Sequence, residues 1–140
     1  LNDGGGEKVI MELREYDANH VVLKVSLHDL GIMGNALNEV CHGINVQDFE
    51  EKMGAEKEAV EQTLDSIIPV YRRKRKLGKS SVVARFTRSD LRAIIGALEE
   101  VDLELDDDDD FAARMGAERW EAQAILDTIV PIYHQMGLEG

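Results

Sequence analysis

The segment MGAEKEAVEQTLDSIIPVY, Met53 to Tyr71, returns as MGAERWEAQAILDTIVPIY, Met115 to Tyr133, displaced by 62 residues. Starting four residues earlier, at Phe49 and Phe111, 10 of 23 aligned positions are identical, too many for chance. Most of the shared positions are Gly, Pro or apolar: Phe49, Met53, Gly54, Leu64, Ile67, Pro69 and Tyr71 in the first copy. Such residues bend a chain and fill its core, and they carry almost no chemistry. The repeat is therefore architecture.

A second block of matches lies upstream at a spacing of 61: Val21, Val22, Asp29, Leu30, Ala36, Leu37, Glu39 and Val40 answer to Val82, Val83, Asp90, Leu91, Ala97, Leu98, Glu100 and Val101. The change of spacing puts one additional residue in the second copy, in the segment that ends with the aspartates Asp106 to Asp110. Each unit, residues 21–78 and 81–140, reads as a strand, a helix, a loop, a short helix and a long helix. Two copies of so long a unit suit one pseudo-symmetric domain over residues 7–140 better than a solenoid. Residues 1–6, LNDGGG, read as a flexible lead-in.

Lys8 to Tyr16 alternates in part, with Val9, Met11 and Leu13 on one side, which suits a strand. Asp17 to His20 supplies turn chemistry and Val21 to Leu27 the returning strand, so a β-hairpin opens the fold. Ser81 to Phe86 is the third strand. Ser26 stands three residues before Asp29, and Thr87 three before Asp90, the spacing of a capping box, although Asp is a short partner for it. Behind these caps Leu30, Met33, Leu37, Val40, Cys41 and Ile44 keep helical spacing, as do Leu91, Ile94, Leu98, Val101 and Leu105, so one face of each helix is buried. Val101, Leu103 and Leu105 also alternate, which allows a briefly extended ending.

Asp48 and Asp110 are placed to cap the short helices, which Gly54 and Gly116 would end. In the long helices the stripe Val60, Leu64, Ile67, Ile68 and Tyr71 is answered by Ala122, Leu126, Ile129, Val130 and Tyr133. Pro69 and Pro131 fall inside it, where a proline costs about 3 kcal/mol, so a kink or break is expected at both. The sum is an α+β fold: a small sheet packed on helices, made of two similar strand-helix-helix units with an extra N-terminal strand.

At 140 residues the chain buries roughly 68% of its unfolded surface, enough for a core without staples. No apolar run approaches the roughly 18 residues of a membrane span, and no basic, apolar leader is visible. The single cysteine, Cys41, makes no internal disulfide, so a reducing cytoplasm is the expected compartment. The net charge of -12 opposes phosphate backbones and anionic lipid and disfavours nucleic acid as the main ligand.

Few residues offer chemistry. Counted as an EF-hand from Asp106, the sixth and twelfth positions are Phe111 and Ala117 where Gly and Glu are needed, so Asp107 and Asp108 read as a solvated acidic loop and a contact surface. Glu39 and His42 form Glu-x-x-His, but the second unit has Glu100 and Leu103, which leaves a di-metal site without its second imidazole. Cys41 lies on the apolar stripe and points away from His42. Arg72, Arg73, Lys74, Arg75, Lys76 and Lys79 form a basic cluster at a helix C-terminus that could pair with the aspartates of another copy. Trp120 breaks the repeat and is expected either to pack against the other unit or to anchor a partner. The composite expectation is a small acidic cytoplasmic interaction or regulatory protein, inhibitor- or immunity-like in one form, with no catalysis, cofactor or metal. Its partner is another protein or a second copy, contacted through Trp120, Arg72, Arg73, Arg75, Asp107 and Asp108. The competing expectation is a small-molecule binder or enzyme with Glu39, His42 and Glu100 in a cleft between the units.

Overall fold

A computed structural model describes residues 11–139, so the expected lead-in and the first residues of the expected strand, Lys8 to Ile10, lie outside the described residues. Strand β1 (Glu12–Tyr16) turns into β2 (His20–Ser26). Asp17 Oδ1 accepts the backbone N–H of Asn19 and of His20, each at 2.8 Å, and these bonds hold the Asp17 carboxyl below its ordinary range. Strand β3 (Ser81–Thr87) pairs with the other edge of β2, giving an antiparallel sheet of order β1-β2-β3.

The register sets Val21, Leu23 and Val25 opposite Phe86, Ala84 and Val82, and this apolar face lies under the helices. Strand β1 departs from its expected alternation. A register shift between Leu13 and Glu15 interrupts the ladder, and Met11 is buried while Leu13 is exposed.

Each of β2 and β3 runs directly into a helix, α1 (Leu27–Asn38) and α4 (Arg88–Glu104). Ser26 Oγ accepts from Asp29 N at 2.9 Å, and Thr87 and Asp90 make both bonds of the capping box, at 3.0 and 2.9 Å. Helix α1 widens at its end into a π turn, Glu39–Gly43, whose last bond runs from Ile44 N to Glu39 O. Helix α4 stays helical to Glu104, so the extended ending does not form.

Short helices α2 (Phe49–Met53) and α5 (Asp108–Met115) precede the long α3 (Lys57–Lys76) and α6 (Arg119–Glu139). Gly54 and Gly116 end the short ones at φ 74 and 68, a left-handed conformation with little steric cost for Gly. The expected caps are corrected. Asp48 is itself left-handed, at φ 53, and makes no capping bond. Asp110 lies inside α5, where its carboxylate meets Arg114, and the cap is Asp107, the extended residue whose carboxylate accepts from the N–H of Asp109 and Asp110.

Of the kink or break expected at the prolines, the break is absent: α3 and α6 continue as helix through Pro69 and Pro131. Buried residues anchor α3 before Pro69, at Val60, Leu64 and Ile67, and Tyr71 packs against the core after it. Ile129 and Met136 do the same on either side of Pro131. Each fully buried side chain contributes about 1.5–3 kcal/mol, so two together outweigh one lost hydrogen bond and its crowding.

The core forms where α1 and α4 cross, with α3 against α1 and α6 against α4. The short helices cross over. Arg92 of α4 donates to Lys52 O at 2.8 Å and Glu51 O at 3.1 Å, satisfying the last carbonyls of α2. Asn35 of α1 donates to Met115 O of α5 at 2.8 Å. Each half thus seats its short helix on the first helix of the other.

Candidate docking groove

The carboxylates of the competing expectation lie at this crossing. Glu39 is 9% exposed and receives Arg114 Nη1 at 3.0 Å; Glu100 is 3% exposed and receives Lys52 Nζ at 3.3 Å. In both cases the cation comes from the short helix of the opposite half. Glu39 first, then Asp110, hold the Arg114 guanidinium charged, above its ordinary range. A buried carboxylate with a dedicated cation has its charge offset by that pairing, which links the two halves. His42 turns elsewhere, 3.7 Å from Glu61. Each of Glu39, His42 and Glu100 thus has its own partner, and among the described residues no hydrogen bond or ion pair joins any two of them. Cys41 is buried, and desolvation first, then Glu61, push its thiol up to about 11, which keeps it protonated and unreactive near neutrality.

A recess of about 640 Å³ lies between α1 and α3. Leu30, Leu64, Ile67 and Ile68 line its apolar surface, and Arg72, Arg75 and Lys76 stand at the C-terminal end of α3. Two glycines shape it. A Cβ on Gly31 would stand 3.0 Å from the Tyr71 ring, and one on Gly34 would stand 3.6 Å from Ile67 Cγ2. Gly31 and Gly34, three apart in a helix, share one face, and Gly31 marks a close approach of the Tyr71 ring.

Arg72 and Arg75 thus fall together with an apolar surface, whereas Arg73 turns to a second recess between α3 and β3, beside Lys74, Lys79 and Arg85. The aspartate run is held by two arginines, Arg114 at Asp110 and Arg119 at Asp108. Arg119 reaches Asp102 Oδ1 at 2.9 Å and Asp108 Oδ1 at 3.2 Å, donates to the carbonyls of Asp102 and Leu105, and lies 4.4 Å over the Phe111 ring. Asp102 above all holds its guanidinium above its ordinary range. Asp107 is a cap and Asp108 an ion-pair partner. Among the described residues no three His, Cys, Asp or Glu side chains come together as metal ligands. Trp120 is 59% exposed rather than buried against the other half.

The chain matches no family model, no curated protein and no solved structure.

The charges of the two halves differ. Residues 21–78 hold eight Lys and Arg against nine Asp and Glu, and residues 81–140 hold five against fourteen. The basic-ended groove is therefore on the nearly neutral half. Among the described residues no helix is long and apolar enough to cross a membrane.

Proposed function

We propose that this is a non-catalytic interaction protein that docks an apolar, acid-flanked helix of its partner in the α1–α3 groove. The observation that carries the reading is the juxtaposition of Leu30, Leu64, Ile67 and Ile68 with Arg72, Arg75 and Lys76 on a protein of net charge -12. An apolar helix face fills such a groove at positions i, i+3, i+4 and i+7, and flanking carboxylates meet the cations. The cations select the partner's charge and speed encounter.

The test is fluorescence anisotropy with a labelled helical peptide bearing a Leu stripe and flanking Glu, compared with the same peptide bearing Lys. The Glu peptide is expected to bind at least about tenfold more tightly, and Arg72→Glu with Arg75→Glu to abolish that preference. Equal affinity for the two peptides, or none for either, would remove the reading.

A further inference from the structure

We infer that the groove's partner is a second copy of this chain, which presents its α4–α6 face to it. The inference rests on the docking reading above. A recess of about 590 Å³ lies between α4 and α6, lined by Glu99, Asp102, Leu103, Leu126, Asp127 and Val130 among others. It stands where the groove stands in the first half: by the repeat spacing Glu99, Leu126 and Val130 answer to Asn38, Leu64 and Ile68, all of which line the groove. Two of the groove's apolar residues are thus answered in the recess, which carries acids in its lining where the groove carries bases. Asp102 is paired with Arg119, whereas Asp127 accepts only the neutral Gln123 amide, at 3.0 Å, so Glu99 and Asp127 are the acids whose charge is left for a partner's cations.

The helices beside these recesses are the ridges that fit them. On α6, Trp120 lies seven residues before Asp127, two turns along the same face, and Leu103 on α4 is 68% exposed. With α6 of one copy seated in the α1–α3 groove of another, α3 of that other copy meets the α4–α6 recess, so that each ridge enters a groove. Arg72 and Arg75 then approach Glu99 and Asp127. Two copies of charge -12 repel, but the arrangement brings the nearly neutral half of one to the acidic half of the next and keeps the two most acidic surfaces apart. Because the two surfaces differ, the contact is heterologous. Each pair retains one unused groove and one unused recess, so assembly proceeds to a ring or a filament.

Two variants separate the surfaces. Arg72→Glu with Arg75→Glu disables the groove and keeps the recess; Glu99→Lys with Asp127→Lys disables the recess and keeps the groove. All four positions are exposed, and circular dichroism confirms that each variant folds. In sedimentation velocity at protein concentrations up to about 0.5 mM, the wild type is expected to grow in mass with concentration and to dissociate in about 1 M salt. Each variant alone is expected to stay monomeric, and a mixture of the two to give a 1:1 dimer that grows no further, with a blue shift of Trp120 emission. The milder Arg75→Ala and Asp127→Asn are each expected to weaken assembly about fivefold or more. A wild type that stays monomeric together with variants that do not pair overturns the inference, as does assembly indifferent to Arg72→Glu with Arg75→Glu. If the Glu peptide still binds in either case, the docking reading survives; if it does not, both fall.

Discussion

Replacing Gly96 by Ala is expected to unseat α2 from α4, although in an isolated helix the same change would stabilise by about 1 kcal/mol. The added Cβ would lie 2.4 Å from Lys52 O and 3.2 Å from Met53 Cα. A carbon and a carbonyl oxygen do not ordinarily approach closer than about 3.3 Å, so α2 must retreat by about 1 Å. That retreat is resisted, because Lys52 O accepts Arg92 Nη1 at 2.8 Å and Met53 is fully buried. Overpacking costs about 1–3 kcal/mol, and loss of a hydrogen bond to a charged group about 1.5–3 kcal/mol. After the gain in helix propensity, the net loss is about 2–4 kcal/mol.

Gly34 is the control: also helical, its added Cβ would make an ordinary 3.6 Å contact, so Gly34→Ala should stabilise by about 0.5–1 kcal/mol. Urea unfolding followed by circular dichroism reads both, and the melting temperature should fall by roughly 10 °C for Gly96→Ala and rise by a few degrees for Gly34→Ala. If Gly96→Ala were as stable as the parent, the close seating of α2 on α4 would be wrong.

The crossing ion pairs can be measured by a double-mutant cycle. Lys52→Met strands a carboxylate that is 3% exposed and should cost about 2 kcal/mol, below the value for a fully buried pair because the Lys52 side chain is more than a third exposed. Adding Glu100→Met should return about half of that loss, and strict additivity of the two changes would show that the pair is not coupled. Cys41 makes stability depend on alkali: its thiol is raised from 9.0 to about 11, so unfolding favours the thiolate, and stability intact below pH 9 should fall by about 2–3 kcal/mol as pH rises to 11. The difference between the parent and Cys41→Ala isolates this slope from other groups, and parallel curves would refute it. Arg119→Met should cost about 1–2 kcal/mol by releasing the carbonyls of Asp102 and Leu105, and it should raise hydrogen exchange at the end of α4; unchanged exchange there would exclude the clamp.

Periodicity made most of the fold readable. Leu30, Met33 and Leu37, and their counterparts Leu91, Ile94 and Leu98, are buried because a spacing of three and four residues leaves one helix face no alternative. Local chemistry was less decisive wherever several residues competed for one role. Any of five aspartates can cap a helix, and Asp107 does so because the backbone is extended there, a property set by how α5 meets α4 and α6. Prolines read as breaks because the sequence shows the hydrogen bond they remove and hides the packing on either side.

The site was only half legible. Arg72 and Arg75 stood out by charge, but the apolar surface beside them is made by α1, some forty residues earlier, and depends on Gly31 and Gly34. The pairs Glu39 with Arg114 and Glu100 with Lys52 join residues 75 and 48 apart. No local pattern encodes such a contact, although Lys52 and Arg114 are themselves related by the 62-residue spacing.

The exchange of short helices, α2 onto α4 and α5 onto α1, has a kinetic meaning. Neither half can finish its own interior: the seat for α2 is made about forty residues later, and the seat for α5 was synthesised about eighty residues before. A ribosome must therefore release the chain as far as the end of α4, at Glu104, before α2 has a stable place, and the entropy of closing that long loop is spent before the contacts are gained. Folding should be slow for so helical a protein and all-or-none, and a cut at Gly78 should yield two fragments that are unstructured apart and native only when mixed.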